Sequence, residues 1–112
     1  WLTPGLSIAA ANGPSRTVVS GPIPEIDALQ SQLEASGFQT RRLRTSHAFH
    51  SAMMDPILPR FEEAVRRIRR NPPQLPFLSN LTGTWITPEQ VVDPAYWTRH
   101  LRDTVRFDDG LS

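Results

Sequence analysis

His47-Ala48-Phe49-His50-Ser51 joins a basic stretch that reads as a strand (39–44) to a long helical pattern (53–70). Two histidines three residues apart, with an aromatic between them, make an unusual strand-to-helix connection. Connections of this kind display catalytic side chains on a rigid scaffold.

Upstream of this run, Leu-Ser-Ile-Ala-Ala-Ala (6–11) reads as a short buried strand. Asn12-Gly13-Pro14-Ser15 is turn chemistry, because Asn and Gly tolerate positive φ and Pro fixes its own. Residues 17–20, with the β-branched Thr17, Val18 and Val19, make a second strand and complete a hairpin. Gly21-Pro22 breaks it, and Pro24, Glu25 and Asp27 suit the first turn of a helix. Ile26, Leu29 and Leu33 share one face of that helix, and Gly37 ends it. Residues 38–43 then read as a third strand, expected to pair with the hairpin in one antiparallel sheet.

Downstream, Asp55-Pro56 marks a first turn or a restart. Leu58, Phe61, Val65 and Ile68 form an amphipathic stripe, with Arg60, Glu63, Arg67 and Arg70 on the solvated side. Asn71-Pro72-Pro73 stops that helix. Residues 77–80 read as a short strand, Thr87-Pro88-Glu89-Gln90 as a capped helix start, and Asp93-Pro94 as another. Trp97 and Leu101 should face inward, and Trp85 and Trp97 read as packing residues.

A chain of 112 residues allows one domain at most. Its net charge of +1 gives no electrostatic reason to expect nucleic acid or a membrane as partner. Zero cysteines exclude disulfides and thiolate metal sites, and fit a reducing, cytoplasmic setting. No apolar run approaches the ~20 residues that span a bilayer. All twelve basic residues are arginine, a bias consistent with a GC-rich bacterial genome. Arg41, Arg42 and Arg44 cluster as a solvated strand edge. The chain starts with Trp1, so it reads as cut from something longer.

Four blocks together resemble the acyltransferase domains of modular (type I) polyketide synthases. Residues 8–14 with Val18-Val19-Ser20-Gly21 resemble the hairpin of a small ferredoxin-like subdomain. Residues 46–54 resemble the histidine motif, and Ser79-Asn80-Leu81-Thr82-Gly83 the strand and turn after the long helix. Asp93-Pro94-Ala95-Tyr96-Trp97, His100-Leu101-Arg102 and Val105-Arg106-Phe107 resemble the C-terminal signature. The fold implied is α/β (α+β): a partial ferredoxin-like antiparallel subdomain over 1–46, then the histidine loop with the C-terminal helices and strand of the large subdomain over 47–112.

In that family a serine in a Gly-X-Ser-X-Gly elbow attacks the thioester of malonyl-coenzyme A, and a histidine serves as base and then acid. The acyl group passes to the phosphopantetheine thiol of an acyl carrier protein. The motif carries the histidine over to His50, a role worth ~10²–10⁴ in rate. The resemblance implies a backbone carbonyl near Gln90 as the acceptor that orients it. Phe49 is either a core plug or a wall of the acyl pocket. Related domains that take methylmalonyl usually have Tyr-Ala-Ser-His where this chain has His47-Ala48-Phe49-His50, so Phe49 favours malonyl. His47 sets the loop or touches substrate, and its spacing from His50, with no carboxylate in the run, is weak for a metal pair. Asn12 serves the turn or faces the cleft.

No Gly-X-Ser-X-Gly occurs in the sequence. The resemblance therefore implies a C-terminal portion that holds the base, with the nucleophile and the carboxylate-binding arginine upstream, and a piece inactive when isolated. Its expected partners are the rest of the acyltransferase, neighbouring synthase domains, malonyl-coenzyme A and the carrier protein, with no cofactor bound by the piece itself. The competing expectation is a non-catalytic structural or carrier-docking module of acyltransferase descent.

Overall fold

The structure is a computed structural model and describes residues 2–112; Trp1, the first residue of the expected small-subdomain portion, lies outside the described residues. The turn at Asn12-Gly13-Pro14-Ser15 forms the expected hairpin. Strands β1 (Ser7–Gly13) and β2 (Arg16–Ser20) run antiparallel, pairing Ser7 with Ser20 and Gly13 with Arg16. Register shifts between Ile8 and Ala10 and between Ala11 and Gly13 bend β1.

Helix α1 (Ile23–Ala35) follows, with Leu29 buried at the centre of its predicted apolar face. Gly37 ends it in the left-handed region at φ 88°. The Phe38 N–H donates to the Leu33 carbonyl and the Gly37 N–H to that of Glu34, which is the Schellman arrangement of a helix C-terminus.

The third strand does not form. Residues 39–43 carry no sheet pairing, and the sheet has two strands. Side chains dock this segment on α1 instead. Thr40 donates to Glu34 at 2.6 Å and accepts from Gln30 at 3.1 Å, Arg42 Nε donates to the Gln30 side chain at 3.0 Å, and Arg42 pairs with Asp27. The hydrogen bonds from Thr40 and then Gln30 hold the Glu34 carboxyl below its usual range. The segment, β2 and α1 together line a groove of about 540 Å³.

Past the histidine run, the long helix begins as a 3₁₀ turn (Ala52–Ile57) and continues as α2 (Leu58–Arg66). Asp55-Pro56 thus marks the restart the sequence indicated. The expected strand at 77–80 reduces to one bridge between Leu78 and Trp85, around a turn in which Gly83 takes φ 75°. A Cβ on Gly83 would stand 2.7 Å from that of Asp109, so glycine meets two demands there. Thr87 and Gln90 form a capping box at the start of α3 (Pro88–Val92). Asp93 accepts from the Ala95 N–H at 2.9 Å and caps α4 (Pro94–Arg102), which packs on α2. A last helix, α5, spans Phe107–Leu111.

The C-terminal segment returns to the hairpin. The Val105 N–H donates to Ala9 and its carbonyl accepts from Ala11, both at 2.8 Å, so β1 is paired on both edges. The interior is small: Leu6, Ala9 and Leu29 at the hairpin, and Ala48, Met54, Ile86 and Tyr96 below it. Trp85, expected to pack, is 62% exposed, while Tyr96 is the most deeply buried large side chain at 1%. The radius of gyration is 16.0 Å, against the ~13 Å expected of a 112-residue compact domain. Among the described residues, exposed large apolar side chains outnumber buried ones. The expected class is nonetheless the observed one: a small antiparallel sheet with its helix, then C-terminal helices.

Candidate active site

The histidine loop is held by its own backbone and by one serine. Ser51 is 1% exposed; its hydroxyl donates to the Ala48 carbonyl and accepts from the Met53 N–H at 3.2 Å. The Ala48 N–H points at Met53 Sδ at 3.3 Å. Ala48 and Met54 are buried on either side and anchor the loop. Between these fixed points His50 takes φ 57°, the single left-handed non-glycine among the described residues. A residue held there is typical of sites where surrounding structure over-determines the backbone.

His47, Phe49 and His50 line one cavity of about 370 Å³, with Val19 and Ser20 from the end of β2. His47 is exposed, its ring lies 5.9 Å from that of Phe49 at a tilt of 52°, and it hydrogen-bonds Ser46 Oγ through Nδ1 at 2.9 Å. Phe49, which lines that cavity, is 43% exposed. Asn12 stands apart, on the groove between β2 and residues 39–43.

His50 Nδ1 is buried and makes no hydrogen bond. Gln90 is occupied elsewhere: its side chain accepts from the Thr87 N–H at 2.9 Å and its carbonyl from the Asp93 N–H at 3.2 Å. Among the described residues no hydrogen bond joins Gln90 to His50, and the ring that stands against His50 is that of His100, with centroids 6.5 Å apart. Fifty residues separate the two, and no spacing rule links them. The only available signal was the place of His100 on α4, one turn beyond Tyr96. Burial, and then repulsion from a charge on His50, hold the His100 pKa below its ordinary value. A histidine kept neutral by folding loses stability as pH falls below its unfolded value of about 6.5, because the unfolded chain takes up that proton more readily.

A second cavity, of about 550 Å³, has His50, Ser7, Arg102 and Arg106 in its wall. Ser7 follows Gly5 but lies within β1, paired with Ser20, and not on a strand-to-helix elbow. Among the described residues no three histidine or carboxylate side chains gather to hold a metal, and no helix is long and apolar enough to cross a membrane.

The acyl transferase domain family matches residues 2–112. A phenolphthiocerol/phthiocerol polyketide synthase protein of Mycobacterium tuberculosis is 46% identical over 111 residues, 99% of this chain and 8% of that protein. The crystal structure of the acyl transferase domain of SpnD, in complex with 2-(pent-4-yn-1-yl)malonyl, superposes with a TM-score of 0.96 at 42% identity, covering 98% of this chain and 27% of that one. A malonyl CoA-acyl carrier protein transacylase from Burkholderia pseudomallei gives 0.75 at 31% identity, over 92% and 35% of the two chains. A fungal synthetase is among the relatives too, so the arginine bias does not fix a bacterial source. The chain thus spans under a tenth of the mycobacterial relative and about a quarter of the SpnD domain.

Proposed function

Because this chain belongs to the acyl transferase domain family, we propose that it is the histidine-bearing portion of a malonyl-type acyltransferase in a modular polyketide synthase. The complete domain moves a malonyl unit from coenzyme A to the phosphopantetheine thiol of an acyl carrier protein. Residues 1–46 belong to its small subdomain and residues 47–112 to the large one. The observation that carries this reading is His50: a left-handed residue on a braced loop that lines two cavities. The malonyl group named with the SpnD domain supports the substrate class.

In the acylation step the elbow serine's oxygen forms a bond to the thioester carbon while His50 takes the serine's proton. The C–S bond then breaks, and His50 returns that proton to the leaving coenzyme A thiolate. The second half repeats the sequence with the carrier thiol as nucleophile and the serine as leaving group. A serine hydroxyl is a weak nucleophile until a positioned imidazole receives its proton, and the loop's hydrogen bonds fix the backbone from which that imidazole projects. Phe49 and His47 flank the acyl group, and Arg41 and Arg42, on the cavity rim, attract its anionic donor.

The test is transfer of labelled malonyl by the complete domain to its carrier protein; a complete domain that loads no acyl group would sink the proposal. The 112-residue chain alone is expected to take no covalent label from radiolabelled malonyl-coenzyme A, since no elbow serine is present. Stoichiometric label on Ser7 would relocate the nucleophile.

Phe49→Ser in the complete domain is expected to shift the ratio of specificity constants toward methylmalonyl by about tenfold, since one methyl in a pocket is worth ~1–3 kcal/mol. Competition between the two coenzyme A esters measures it. An unchanged ratio in an active variant would remove Phe49 from the pocket.

A further inference from the structure

We propose that Met53 is an oxidation site, at which a hydroperoxide turns the thioether into a sulfoxide and slows acylation by disturbing the loop that carries His50. This rests on the reading of His50 as the base.

The sequence holds no cysteine and two methionines, the neighbours Met53 and Met54. The 3₁₀ turn gives them opposite surroundings. Met54 is buried, at 3% exposed, while Met53 is 45% exposed. Met53 also lines the cavity of about 370 Å³ shared by Phe49 and His50. An acyl donor enters that cavity from solvent, so a molecule as small as hydrogen peroxide enters it too. Access decides which thioether is attacked. Met53 is the reactive sulfur and Met54 the protected one.

The Met53 sulfur has a task in the loop. The Ala48 N–H donates to Sδ at 3.3 Å. The Ser51 hydroxyl donates to the Ala48 carbonyl and accepts from the Met53 N–H at 3.2 Å. Both backbone polar groups of Ala48, itself 8% exposed, are therefore held by residues beyond His50. These contacts close around Phe49 and His50. Inside them His50 keeps φ 57°, a conformation that persists only where its surroundings impose it.

In the oxidation step the sulfur lone pair attacks one peroxide oxygen and the O–O bond breaks. That oxygen stays on sulfur, which gives up two electrons, and the other oxygen leaves as water with both protons. A weak acceptor in an apolar side chain becomes a polar group with an oxygen on it. No oxygen fits between Sδ and a nitrogen 3.3 Å away, so the contact with Ala48 breaks or the two groups move apart. If it breaks, a buried N–H loses its partner. If they move apart, the loop shifts. Either way the backbone from which His50 projects is disturbed.

The experiment uses the complete domain as wild type, Met53→Leu, Met53→Gln and His50→Ala. Each is treated with hydrogen peroxide, and tandem mass spectrometry locates the added oxygen. Self-acylation and thermal melting are followed, and each treated rate is compared with that of the same protein untreated. Met53 is expected to gain oxygen before Met54. The wild-type rate at saturating donor should fall about tenfold in step with it, because a small misplacement of a catalytic group is enough for such a loss. Met53→Leu, close in volume and without sulfur, should keep its own untreated rate. Met53→Gln, with an amide oxygen where the sulfoxide oxygen would stand, should be slow before any peroxide is added. A methionine sulfoxide reductase should restore the rate as it restores the thioether. Oxidation that reaches Met54 first, or spares Met53, overturns the site. The wild-type rate in a folded domain oxidised at Met53, or in folded Met53→Gln, overturns the link to the loop. So does a Met53→Leu domain that loses as much rate to peroxide as wild type. If peroxide unfolds the wild-type domain, the rate of folded Met53→Gln decides. If untreated His50→Ala acylates normally, the base assignment fails first, whatever peroxide does to Met53.

Discussion

His50→Ala, placed in the complete acyltransferase domain, is expected to cut serine acylation by about 10² or more, the loss that follows removal of a general base. In barrier terms this is about 2.7 kcal/mol or more. The donor's KM should change far less, because the imidazole acts on a proton and not on the acyl chain. Backbone geometry complicates the choice of variant. His50 sits at φ 57°, a region that costs an ordinary residue roughly 1–2 kcal/mol and that asparagine enters more readily. His50→Asn therefore separates loss of the base from strain in the loop, and it is expected to be as inactive as the alanine variant while melting closer to wild type. A folded His50→Asn domain that acylates at the normal rate would show that the base lies elsewhere.

Tyr96→Ala is expected to destabilise the domain by ~3–5 kcal/mol, the usual effect of removing a buried aromatic ring. Tyr96 is 1% exposed, and its hydroxyl meets that of Ser79, itself 2% exposed, at 2.5 Å. Ser79 Oγ also accepts from the Leu81 N–H at 3.1 Å and the Thr82 N–H at 3.3 Å, so one hydroxyl pair joins α4 to the turn before α3. The ring also stands behind His100. Tyr96→Phe keeps the ring and gives up the hydroxyl, and about 1–2 kcal/mol is expected. Urea denaturation of the complete domain measures both, and a Tyr96→Ala midpoint equal to wild type would contradict the packing described.

Where local chemistry decides the outcome, the residues themselves are a sufficient guide. Turn residues 12–15, Gly37, the Thr87–Gln90 box and Asp93 each do what their side chains and φ preferences dictate. The histidine loop is legible because its residues are contiguous. Failures come where the partner is remote. Residues 39–43 have strand-like composition, yet pairing needs a neighbouring edge at ladder distance, and Thr40 and Arg42 find α1 first. Trp97 reads as the inward anchor of α4, but the helix turns the adjacent Tyr96 inward, and Trp97 becomes its edge-on neighbour at 5.0 Å. His100 stands in the C-terminal signature without a role of its own, because its juxtaposition with His50 is a tertiary fact. Trp85 shows the reverse error: large apolar size argues for burial, and a single bridge with Leu78 leaves it outside.

The return of the C-terminal segment to β1 has a consequence for the order of events during synthesis. Thr104 Oγ1 donates to the Ile8 carbonyl at 2.6 Å across 96 positions of sequence, beside the two backbone bonds of Val105. On the ribosome, at about 5–20 residues per second, β1 must wait some 5–20 s before its second edge can be paired. Loop closure over such a span adds little to the equilibrium cost, which grows only with the logarithm of length, but contacts this distant slow folding. The hairpin and α1 can form early from local contacts, while the β1 edge that Val105 pairs must wait until that residue has emerged. That interval is when the nascent chain is most exposed to misassociation, and a chaperone that holds unfolded chains would have most to shield there.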